Sequence, residues 1–104
     1  MTDTHVILDI VLECCRQHNE VSERQIDVAL GADAPLFGVE GVLDSLALVS
    51  LVLAVEQGIE EHLGALVTLA DARAASQSSS PFRTAGSLAA FAAKLVAEER
   101  GASV

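Results

Sequence analysis

The chain has 104 residues, 51% of them hydrophobic, and its 15 acids against 6 bases give a formal net charge of −9. That length predicts one domain able to bury about two-thirds of its unfolded surface, and so much apolar material excludes wholesale disorder. The acidity argues against nucleic acid and against anionic membrane surfaces, since both require a basic patch.

Three Phe and no Trp or Tyr leave a core of Ala, Val and Leu. Such a composition favours helices over strands and predicts an all-α fold. Residues 4 to 19 predict the first helix: Ile7, Ile10, Val11 and Cys14 recur at helical spacing, and Leu8, Leu12 and Cys15 widen the stripe. The run Val21-Ser22-Glu23-Arg24-Gln25-Ile26 carries a capping-box pattern, with Val21 placed to staple onto Ile26, so a short helix ending at Gly31 is expected. Gly31, Pro35, Gly38 and Gly41 then predict a long loop with buried anchors at Leu36, Phe37, Val39 and Leu43.

The second main helix is expected to start at Asp44-Ser45 and to run to Gln57 or on to Leu63, weakened at Gly58 and ended by Gly64. A short third helix should follow from Thr68 to about Ala75, with residues 76–81 as a flexible connection. Thr84 should cap the last helix, whose apolar positions are Leu88, Phe91, Ala92, Leu95 and Val96. That helix is expected to fade over residues 98–101 into a frayed tail. The prediction is a single domain with its core at about 4–98. It holds three main helices plus one or two short ones, and a long loop separates the first main helix from the second.

The first residues lack a basic n-region, and Asp3 and Asp9 interrupt their apolar stretch. The most apolar run, Leu46 to Val55, is broken by Ser50 and falls far short of the ~20 residues needed to cross a bilayer. No membrane insertion is expected. Cys14 and Cys15 are neighbours, about 100° apart on a helix, so no disulfide joins them and a reduced, cytoplasmic compartment follows. Between Arg24 and Arg73 there is no Lys or Arg, whereas Asp27, Asp33, Glu40, Asp44, Glu56, Glu60, Glu61 and Asp71 fall inside that window. These are either solvated acids or a field that faces a partner.

His5, His18 and His62 are too scattered to form a metal site with the cysteines, and no Gly-x-Ser-x-Gly elbow, phosphate loop or HExxH is present. No catalytic residue, no metal and no enzymatic activity are expected. One constellation stands out: Gly41-Val42-Leu43-Asp44-Ser45-Leu46. A loop ends in an apolar anchor, an acid caps a helix, and a serine follows in the first turn. The first amides of a helix lack internal partners and carry partial positive charge, so an anionic phosphodiester on Ser45 Oγ would be held favourably there. The same residues serve equally well as a plain N-cap.

Asp44-Ser45-Leu46, at the start of the second main helix after a long loop, resembles the phosphopantetheine attachment motif of the acyl and peptidyl carrier protein family. Leu46, Val49, Leu51, Val52, Val55 and Ile59 are similar to the core pattern of that family's second helix. The run Phe82 to Leu88 looks like its Thr-x-Gly-x-Leu start of the last helix, with Thr84 lying 39 positions after Ser45. The resemblance covers residues 4 to 98 and implies a stand-alone, monomeric carrier. A phosphopantetheinyl transferase would esterify Ser45 from coenzyme A with magnesium, and Asp44 and Leu46 would frame the attachment point. The arm's thiol would carry an acyl or aminoacyl group as a thioester, loaded by an adenylating enzyme and passed to transferases of fatty acid, polyketide or nonribosomal peptide synthesis.

The chain departs from the family in one respect. Carriers of fatty acid synthesis present acids on the outward face of this helix. Here the expected outward positions are Ala47, Leu48, Ser50 and Leu53, with Glu56 the only acid. Partner recognition is therefore expected to be more apolar and less salt-dependent, unless the stripe packs on the protein's own loop. The alternative function is a non-modified helical module that binds a partner through the Leu46–Val55 face.

Overall fold

The structure, a computed structural model, describes residues 3–23, 25–37, 41–69 and 82–102. Helix α1 (Asp3–Val21) buries Ile7, Ile10, Val11 and Cys15, the stripe set by its apolar spacing. Helix α2 (Ser45–Leu63) buries Leu48, Leu51, Val52, Val55 and Ile59. It ends at Gly64, whose positive φ of 69° turns its N–H back onto the Glu60 carbonyl. Helix α3 (Ala85–Ala102) buries Ala85, Leu88, Ala89, Ala92, Leu95 and Val96. Helix α1 packs against both α2 and α3. The fold is all-α, as composition and periodicity predict, and no strand occurs among the described residues.

The helix expected over residues 22–31 forms differently. The Asn19 side chain reaches over the end of α1: its Nδ2 donates to the Ile26 carbonyl (2.9 Å) and its Oδ1 accepts from the Ile26 amide (2.8 Å). Gln25 Nε2 donates to the carbonyls of Asn19 and Ser22, both at 2.7 Å. Residues 25–27 are thereby held irregular, and the helical turns come later as a 3-10 segment, Val28–Asp33, kinked at Gly31. Val21 is 86% exposed, so the expected staple onto Ile26 does not form. Ile26 still enters the core, carried there by Asn19.

Past this segment the loop is stitched to the start of α3. The Leu36 amide donates to the Arg83 carbonyl (2.7 Å) and the Ala85 amide to the Ala34 carbonyl (3.0 Å). Leu36 and Leu43 are buried anchors as expected, joined by a 2.9 Å bond from the Leu43 amide to the Leu36 carbonyl; Phe37 is only half-buried. Val39 and the helix expected up to Ala75 fall outside the described residues, apart from Thr68 and Leu69.

Thr84 caps α3 reciprocally with Ser87. The Ser87 amide donates to Thr84 Oγ1 (3.1 Å), and the Thr84 amide donates to Ser87 Oγ (3.0 Å). A Cβ on Gly86 would stand 2.8 Å from both Cβ and carbonyl oxygen of Ala32, so only glycine lets the first turn of α3 meet the 3-10 segment. Phe91 is half-buried and meets Phe82 edge-on, with ring centroids 6.4 Å apart. The helix runs on to Ala102 instead of fading at residue 98, although residues 97–99, just past the buried Val96, are exposed.

Candidate functional site

The start of α2 is prepared by the loop before it. Leu43 is buried and fixes the chain, and Asp44 then takes an extended conformation (φ −86°, ψ −179°) that brings its side chain over the first turn. Asp44 Oδ1 accepts from the Ala47 amide at 2.8 Å, and its carbonyl accepts from the Leu48 amide at 2.9 Å. Ser45 is the first residue of α2, and Leu46, the second, is 77% exposed. The Thr-x-Gly-x-Leu run has a structural account of its own: Thr84 caps, Gly86 permits the close approach to Ala32, and Leu88 is core.

The donors at this turn are the first backbone amides of α2. Asp44 takes up the Ala47 amide, and helix geometry gives the amides of Ser45 and Leu46 no acceptor four residues back inside α2. An anion attached at this turn would meet the positive end of the helix and those first N–H groups. The Asp44 carboxylate opposes such a charge, but it is exposed and screened by solvent and salt.

The outward face of α2 differs from the expected one. Leu46 and Val49, predicted as core, are 77% and 47% exposed, and Leu53 is 50% exposed beside an exposed Ser50. Leu48, predicted as a partner-facing residue, is only 8% exposed. The reason is angular. Leu48 stands four residues before Val52 and seven before Val55, on the buried stripe, while Leu46, Val49 and Leu53 share the opposite side. Ala47 is half-buried against the core. Glu56, the expected docking acid, is half-buried, and its Oε2 accepts from the Leu69 amide at 2.6 Å. Nothing in the sequence pattern links residues 56 and 69, and this contact was not foreseeable from spacing.

Towards the other end of α2, Gly58 lies against Ile10 of α1 and opens a shallow crevice of about 190 Å³ lined by Cys14, Gln17, Ala54 and His62. Burial, with the Glu13 charge, pushes the Cys14 thiol up to about 11. Burial, with Cys14 beside it, pushes Cys15 up to about 12. Both thiols are protonated near neutral pH and neither is poised as a nucleophile. Among the described residues, no group of three His, Cys, Asp or Glu side chains could hold a metal ion, and no helix is long and apolar enough to cross a membrane.

Comparison with known proteins gives no match: no family model fits the sequence, and no curated protein or solved structure matches it.

Proposed function

We propose that this chain is a carrier protein that holds an acyl or aminoacyl group as a thioester on a phosphopantetheine arm attached to Ser45. The observation that carries this reading is the placement of Asp44-Ser45-Leu46: an acid satisfies the third amide of α2, and a serine stands at its first position. On this reading the carrier works in the cytoplasm as a monomer. A phosphopantetheinyl transferase modifies it, an adenylating enzyme loads it, and downstream transferases take the cargo. The arm supplies the thiol. The chain's own residues supply a fixed attachment point, an electropositive helix end and an exposed apolar stripe, Leu46, Val49 and Leu53, for the enzymes to grip.

The intact mass of the protein, before and after incubation with coenzyme A, magnesium and a promiscuous phosphopantetheinyl transferase, tests the proposal. A gain of one phosphopantetheine is expected, and Ser45→Ala should abolish it without unfolding the domain. No gain with several transferases would overturn the carrier reading.

The exposed stripe also favours a second reading, a non-modified module that binds a partner through this face. That reading requires Ser45→Ala to leave partner binding intact, and Leu53→Asp to abolish it.

A further inference from the structure

Beyond Gly64 the chain turns back along the molecule as a short strap, residues 65–69. Its burial alternates: Ala65 and Leu69 are buried and Val67 is half-buried, while Leu66 and Thr68 are exposed. The two ends are held in different ways. Gly64 fixes the near end by donating to the Glu60 carbonyl. The far end is held by the bond from the Leu69 amide to the Glu56 carboxylate. Leu69 itself is fully buried in the common core, so its departure would open the core at that point.

We propose that Glu56 is an electrostatic latch on this strap, so that residues 65–69 open as a unit when its charge is removed. A hydrogen bond to an ionised acceptor is about twice as strong as a neutral one, and here one such bond supports a segment with two fully inward side chains. Glu56 lies three residues after Leu53 and seven after Val49, beside the exposed stripe. The group that closes the strap therefore borders the face available for docking. Stripe and latch are separate features, and the latch does not depend on the carrier reading.

Amide hydrogen exchange of the unmodified chain tests it, comparing wild type, Glu56→Gln and Glu56→Ala. Exchange across residues 65–69 should rise in that order. The Ala variant should lose about ten- to a hundredfold protection at Leu69 while the central amides of α1 and α3 keep theirs. Three results would each overturn the latch: a Gln variant as protected as wild type, an Ala variant unchanged over 65–69, or faster exchange spread equally through α1 and α3. None of them bears on whether Ser45 accepts phosphopantetheine, because no modified protein is used.

Discussion

Replacing Gly58 with alanine tests the crossing of α1 and α2 that positions the whole site. An interior helical glycine costs about 1 kcal/mol relative to alanine, so propensity alone makes Gly58→Ala stabilising. The crossing opposes this. The new Cβ would stand 2.7 Å from Ile10 Cγ2. That methyl hangs directly on a β-branched carbon set by a stiff χ1, on a residue only 8% exposed, so it is not the free end of a flexible side chain. The helices must part, and overpacking of this kind costs about 1–3 kcal/mol. The net expectation is a loss of about 0–2 kcal/mol in the wild-type background. In an Ile10→Ala background the obstructing methyl is gone, and the same change should stabilise by about 1 kcal/mol. Urea unfolding of the four proteins of this cycle would read a coupling of about 1–3 kcal/mol between the two sites. Equal stabilisation by Gly58→Ala in both backgrounds would refute a close crossing.

Asp44→Ala removes the cap on the Ala47 amide and should lower stability by about 1 kcal/mol in thermal or urea unfolding, whereas Asp44→Asn should retain most of it. The buried thiols set a limit at high pH. Their folded values lie above the ordinary 9.0, at about 11 for Cys14 and about 12 for Cys15, so the unfolded state loses these protons first. The stabilisation is complete below pH 9 and is lost as pH rises from there through the folded values. A Cys14→Ala/Cys15→Ala protein should therefore show a shallower fall in melting temperature above pH 9 than wild type.

The three long helices could be read from the chain because each repeats apolar residues at helical spacing between strong punctuation, such as Gly64 and the Thr84 cap. The facing of α2 could not. From Leu46 to Val55 nearly every residue is apolar, so spacing offers two equivalent stripes, and only tertiary packing decides that Leu48 goes in and Leu46 stays out. Gly58 reads as a weak point when α2 is considered alone and becomes a requirement once Ile10 lies beside it. The capping box at Ser22–Gln25 lost to a competitor outside its own window, the Asn19 side chain reaching seven residues ahead to Ile26. Local chemistry at Asp44 was legible because a cap is completed within one turn. The partner of Glu56 was not, because Leu69 lies 13 positions away.

Helix α1 gives its most extensive packing to α3, from which it is separated by the whole of the intervening chain. This closure is non-local. The ordering entropy of α2, the long loop and the strap must be met before the two outer helices reward it. Folding should accordingly be slower than in a bundle whose neighbours in space are neighbours in sequence. On the ribosome, α1 stays incompletely covered until α3 has been made.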